Sequence, residues 1–282
     1  MSKATPTARH RLPVACLALL VLAACAPDES ALLDRPFDQV AWATTHNSMS
    51  AASDGWLVPS QEHGELRQLH DGVRGLMLDV HEQDGQAWLC HGYCSLGSQP
   101  LVEGLAELRV YLGTDPDAVI TLILENYVSA ELLEQAFAAS GLLELCSTHP
   151  AGEPWPTVAE MIAAGERVVV LADDEGGERP WLLPTWDHAW ETSWNADVPE
   201  DLGCEPNRGD PNNALFILNN FLTDPVSLPE LAAQVNGQTF LEERAQSCWA
   251  QSGRIPNFVA VDFYATGDVL EVVRSLNASW DG

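Results

Sequence analysis

Basic residues are scarce: 13 Lys and Arg stand against 41 Asp and Glu in 282 residues, a net charge of −28 with histidine neutral. That balance argues against nucleic acid as a partner, because phosphate binding needs clustered Lys and Arg. It also argues against electrostatic adsorption to anionic lipid, where each basic residue near the surface contributes roughly 1 kcal/mol. Long apolar runs are missing too. The run LPVACLALLVLAA at 12–24 has 13 residues, short of the roughly 18 that a membrane-spanning helix needs. No internal repeat, low-complexity tract or second-domain signal stands out.

What that run does fit is an export signal. Lys3, Arg9 and Arg11 precede it, and LAAC ends it at Cys25, the layout of a secretory signal with a small-residue cleavage site. A cysteine directly after Leu22-Ala23-Ala24 resembles the lipobox of bacterial lipoproteins. The resemblance implies a signal peptide at 1–24, a lipidated Cys25 opening a linker at 25–35, and one domain at 36–282. It also implies an exported, cell-envelope lipoprotein (outer membrane, periplasm or cell surface) held to a membrane by that anchor. An ordinary signal peptide with an incidental cysteine is the alternative. Cleavage there removes three basic residues and leaves 10 against 41 acids, a charge of −31. About 257 residues remain, enough for one α/β barrel, expected as a monomer.

Five cysteines follow Cys25, and in an oxidising compartment they pair with one left over. The expected pairs are Cys90 with Cys94 and Cys204 with Cys248, leaving Cys146 free. A zinc site at Cys90, His91 and Cys94 is the alternative, but a second cluster with metal-ligand spacing is missing. The bridge reading makes the disulfide a clamp on the loop that carries His91.

Short β-rich runs alternate with helical patterns. VAWATT, VRGLMLDV, QAWLC, AVITLILE, RVVVLAD, ALFILNN and NFVAVDFY read as strands, most of them near-continuous apolar runs of a sheet covered on both faces. LVEGLAELRVYLG ends on Gly113, AELLEQAFAASG on Gly141, and TVAEMIAAG opens with the capping-box pair Thr157 and Glu160 and closes on Gly165. The segment 174–212, rich in Trp, Pro and Asp, reads as an extended loop over one end, held by Cys204. The expected fold is an α/β single domain, a (β/α)8 TIM-type barrel.

In such a barrel chemistry sits at the C-terminal ends of the strands. There fall His46 and Asn47, Asp79, His91, Glu125 and Asn126, Asp173 and Asp174, Asn219 and Asn220, and Asp262. A folded domain has no structural need to gather so much charge at one rim. His81, two residues past Asp79, is a secondary candidate for that rim, and Asp187 and Glu191 are candidates for a pocket beside the tryptophans, with ordinary packing the favoured alternative. His63, His70, His149 and His188 lie in helical or loop text and read as ordinary exposed or core residues.

At these residues the chain resembles the catalytic X region of phosphatidylinositol-specific phospholipase C. ATTHNSM resembles the first-histidine segment, GVRGLMLDVHE the second strand, CHG the second-histidine segment and LILENY the fourth strand, in the family's order over about 40–130. PNFVAVDFYATGD resembles the closing strand of bacterial phosphodiesterases of the superfamily. The resemblance implies a distorted, incompletely closed barrel acting on a phosphodiester or phospholipid. It assigns His46 as general base, His91 as general acid and Asp262 as the group orienting His46, chemistry that suits imidazole near neutral pH. Where the metal-free bacterial branch has arginine and lysine, this chain has Asp79 and Glu125. With Asn47 they match the calcium-dependent branch, so calcium is expected, with magnesium the alternative. Met77 departs from that branch, standing where a further carboxylate ligand is usual. Arg74 and Asn220 are the candidate substrate contacts, Arg74 having a structural role at the start of its strand as the favoured alternative. Other phosphodiesterases of the superfamily, of glycerophosphodiesterase or sphingomyelinase-D type, lack support because the first histidine is followed by Asn47-Ser48 and not by an HRG-like start. A lipid-anchored binding module without turnover is the reading from a different class.

Overall fold

The computed structural model describes residues 30–280, so the signal at 1–24 and the lipidation site Cys25 lie outside the described residues. The strands, in chain order, are β1 (Trp42–Thr45), β2 (Gly75–Gln83), β3 (Gln86–Leu89), β4 (Gln99–Pro100), β5 (Ile120–Asn126) and β6 (Val168–Ala172), then β7 (Leu182–Pro184), β8 (Ala189–Thr192), β9 (Pro206–Arg208), β10 (Leu215–Asn219) and β11 (Phe258–Val261). Eight of them adjoin in parallel in the order β7-β6-β5-β2-β1-β11-β10-β8. That is chain order read round a ring, with no pairing between β7 and β8 among the described residues. The expected distorted barrel is therefore the observed one, open at a single seam.

Period-two alternation divides the strand residues between two cores. Leu76, Leu78, Leu122, Leu124, Val170 and Leu218 pack outward in the larger cluster with the helices. Met77, Ile123, Leu171, Leu183, Ile217 and Phe258 fill the lumen. The helices Ala130–Ser140 and Val158–Ala164 end as expected on Gly141 and Gly165, both left-handed, and the Thr157–Glu160 capping box forms. The helix Leu101–Thr114 runs through Gly113 and stops one residue later.

Two readings of the sequence are corrected. QAWLC lies outside the ring: β3 turns back antiparallel on β2 (Val80 opposite Leu89) and then pairs with β4. The segment 174–212 is not one loop, for it holds the barrel strands β7 and β8 and the strand β9, which pairs antiparallel with β8. β7 spans three residues and its link to β8 is the four-residue helix Thr185–His188, too short for any periodicity to register. Both expected disulfides form, Cys90–Cys94 and Cys204–Cys248. Cys146 is a free buried thiol whose pKa burial pushes up to about 12.

Candidate active site

The inward-facing rows of the strands end in polar residues at one rim. His46 follows Thr44 on β1, Asp79 follows Met77 on β2, Glu125 follows Ile123 on β5, Asp173 follows Leu171 on β6, Glu191 follows Ala189 on β8 and Asn219 follows Ile217 on β10. All six line a cavity of about 500 Å³ together with Asn47, Met77 and His91. Asp262, the residue after β11, stands behind His46 and is 2% exposed.

Each histidine is held by a carboxylate. His46 Nδ1 lies 2.8 Å from Asp262 Oδ1, and His91 Nδ1 lies 2.7 Å from Asp79 Oδ2. The Asn47 amide nitrogen lies 3.1 Å from His46 Nε2, a contact in which the amide donates to a ring nitrogen that carries no proton. That tautomer keeps the proton on Nδ1 and leaves Nε2 as an acceptor, the state a base needs. One face of the His46 ring stacks on Phe221, with centroids 3.9 Å apart and planes within 3°. His91 is the more exposed of the two rings. Its pKa is raised, first by the hydrogen bond to Asp79, with burial opposing and the charges of Asp79, Asp262 and Glu125 adding to the rise. A histidine so placed holds a proton readily and suits an acid.

The hairpin explains how His91 reaches this position. β3 returns along β2, the Cys90 amide donates to the Asp79 carbonyl at 3.2 Å, and the Cys90–Cys94 bridge closes the loop around His91. With both sulfurs bonded to each other, the zinc alternative has no thiolate ligands.

Asn47, Asp79 and Glu125 face the same cavity, and Asp79 and Glu125 are register partners on β2 and β5. Asp79 gives one oxygen to His91, Glu125 accepts from the Tyr127 hydroxyl, and the second oxygen of each carries no hydrogen bond among the described residues. No group of three or more His, Cys, Asp and Glu side chains among the described residues is disposed to hold a metal ion. The donor set here is two carboxylates and one amide, and its all-oxygen chemistry fits a hard cation. The thioether of Met77 adds no ligand for such an ion.

Two expected contacts lie elsewhere. Arg74 lines a different cavity, with Trp42, Asp115 and Asn277, and donates to the Leu69 and Val73 carbonyls at 2.9 Å and to Asp115 at 3.4 Å. Its role is the structural one, at the N-terminal end of β2. Asn220 is fully buried on the helix side, where its amide donates to the Val235 carbonyl at 3.1 Å and its oxygen accepts from Arg244 at 3.2 Å. Its neighbour Asn219 is the residue that faces the lumen. His81 and Asp187 are absent from the lining, whereas Glu191 belongs to it, as does Tyr127, on which His81 stacks.

Arg208 on β9 was not singled out by the sequence, since nothing in PNRGD marks it. It is the one basic guanidinium among the cavity's lining residues. It donates to Glu191 at 2.6 Å and Asp173 at 2.8 Å and lies 4.3 Å over the Trp186 ring. Asp173 is nonetheless pushed up to about 6, because burial outweighs the Arg208 charge and Glu125 and Glu191 add repulsion.

The PI-PLC X family model matches residues 32–277. A PI-PLC X domain-containing protein of Arabidopsis thaliana is 32% identical over 276 residues, covering 86% of this chain and 62% of that protein. An uncharacterized secreted protein of the fungus Arthroderma benhamiae is 28% identical with the same coverage, so the chain spans less than two thirds of the length of either. Among solved structures, phosphatidylinositol-specific phospholipase C of Staphylococcus aureus superposes with a TM-score of 0.62 at 14% identity, over 88% of this chain and 96% of that one. The enzyme of Listeria monocytogenes superposes with a TM-score of 0.58 at 12% identity, over 89% and 96%. With the family model matching nearly the whole described fold, the chain belongs to the PI-PLC X domain family.

Proposed function

We propose that the protein is a phosphoric diester hydrolase or lyase of the phosphatidylinositol-specific phospholipase C type. The observation that carries this reading is the pair of His–Asp dyads facing one cavity, one arranged to accept a proton and the other to give one. In the reaction, Nε2 of His46 takes the proton of a substrate hydroxyl next to the phosphodiester, and that oxygen attacks phosphorus. The bond from phosphorus to the leaving alkoxide breaks as His91 protonates it, and a cyclic phosphodiester forms. Water then opens the ring with the two histidines in exchanged roles. Asn47, Asp79 and Glu125 would hold a calcium ion, or magnesium in its place, and the bound cation would offset the charge of the phosphoryl oxygens and lower the pKa of the attacking hydroxyl.

A phospholipid substrate is supported by the lining of the cavity, where Tyr127, Trp194 and Val226 are exposed apolar residues. Export is supported by the two disulfides and accords with the secreted fungal relative. Anchoring through a lipidated Cys25 completes the proposal for the location.

Phosphorus NMR of the protein with phosphatidylinositol in mixed vesicles tests the reading, with calcium and then with chelator. A cyclic inositol phosphate signal that vanishes on chelation is the expected result. Absence of product while the protein still binds calcium moves the reading to another phosphodiester or to a binding module without turnover. His46→Ala and His91→Ala each lower turnover by about 10²–10⁴, and activity within about tenfold of wild type overturns the assignment.

A further inference from the structure

Asp262 has two carboxylate oxygens and almost no contact with solvent. Oδ1 pairs with His46, and Oδ2 accepts a hydrogen bond of 2.6 Å from the Ser227 hydroxyl. Its own carbonyl accepts from the Asn236 side chain at 2.7 Å. A buried carboxylate held by one donor is free to rotate about its last bond, whereas two donors on opposite oxygens fix its plane. Ser227 is the second donor. It belongs to the connection 220–228 between β10 and the helix Pro229–Val235, the same connection that supplies Phe221 to the face of the His46 ring. One segment thus frames the ring from its face and, through Asp262, from its edge. Ser227 lines the cavity with Val226 and is half-buried between Val226 and Leu228, which are 37% and 41% exposed.

We propose that Ser227 is a positioning residue for His46, acting through Asp262 and not by touching substrate. Its hydroxyl holds the carboxylate in the rotamer that keeps Nδ1 protonated and aims Nε2 into the cavity. The inference rests on the reading of His46 as base, and its test has one arm that needs no turnover. Removing a donor to a buried charged acceptor leaves that acceptor unsatisfied. Ser227→Ala is therefore expected to lower kcat about tenfold with KM unchanged, and Ser227→Thr, which can place a hydroxyl at the same point, restores it. In an Asp262→Ala background the same Ser227→Ala change costs nothing further, since both act through one contact.

The activity-independent arm is the downfield proton resonance of the His46 Nδ1–H, assigned by its loss in His46→Ala. It is expected to shift or broaden in Ser227→Ala, to return in Ser227→Thr, and to leave the His91–Asp79 resonance in place. A raised KM with unaltered kcat, full additivity with Asp262→Ala, or an unmoved His46 resonance each overturns the proposal. If the wild-type protein cleaves no phosphodiester, the reading of function fails while the resonance still decides the positioning role.

Discussion

Asn47 and Phe263 each follow directly after a member of the His46–Asp262 dyad, and both have left-handed backbones, with φ of 47° and 46°. Asparagine enters that region at little cost, whereas phenylalanine does so only when its surroundings impose it. The surroundings include Gln61, which is fully buried. Its amide nitrogen donates to the carbonyls of His46 at 2.7 Å and Val261 at 3.0 Å, and its oxygen accepts from the Tyr264 amide at 3.1 Å. One side chain thus ties the ends of β1 and β11 together beside His46. Gln61→Leu strands two backbone groups, the His46 carbonyl and the Tyr264 amide, since the Val261 carbonyl still accepts from the His46 amide; each is worth about 1 kcal/mol or more when unsatisfied. Urea denaturation is expected to register a loss of roughly 2 kcal/mol, and a loss below about 1 kcal/mol means that water replaces the amide. Nothing in SQEHG announces this residue, because two of its three partners lie about 200 positions away in sequence. His46, Asp79 and Glu125 were legible because each ends a strand whose inward row is readable by twos. Asn220 was misread for the converse reason: LFILNN is apolar without interruption, so the run hides its phase and offers two asparagines for one inward place.

At the scale of elements, the front of the barrel was readable and its open side was not. β2, β5 and β6 are mostly apolar runs of five to nine residues, two capped helices separate β5 from β6, and the strand order follows the usual right-handed sense of βαβ connections. β7 and β8 carry so few residues that their identity comes from pairing: Leu171 opposite Leu183, and Ala189 opposite Leu215. The helix Gln238–Ser252 was equally silent, since it buries only Leu241, Arg244, Ala245 and Cys248 and its exposed polar faces mask the period. What holds this half is partly covalent. Cys204, between β8 and β9, is bridged to Cys248 across 44 positions, and Arg244 on the same helix donates to the Leu202 and Gly203 carbonyls at 3.2 and 2.9 Å. Loop-closure entropy for a ring of that size is worth about 4 kcal/mol. Replacing both cysteines by serine is expected to lower stability by about that amount while the Cys90–Cys94 bridge stays intact. An unchanged denaturation midpoint shows that the Arg244 contacts and core packing suffice.

For the whole molecule the decisive quantity is charge. A net −28 surrounds a cavity lined by Asp79, Glu125, Asp173, Asp174 and Glu191 against one arginine, Arg208. An anionic headgroup therefore meets an unfavourable potential at both long and short range. The exposed apolar side chains of the lining act without regard to charge, so association with lipid sets a short-range hydrophobic attraction against a long-range repulsion. Salt separates the two. The screening length falls from about 30 Å at 0.01 M to about 8 Å at 0.15 M, which removes most of the repulsion between an approaching acidic protein and an anionic surface and leaves burial of the rim unaffected. Cosedimentation in chelator is expected to show weak binding to vesicles of anionic phospholipid at low salt and several-fold stronger binding at 0.15 M NaCl, with little change on zwitterionic vesicles. Binding to anionic vesicles that weakens as salt rises requires attraction between unlike charges. In that event Arg208, or a basic group nearer the N-terminus, must meet the lipid before the acidic body of the protein does.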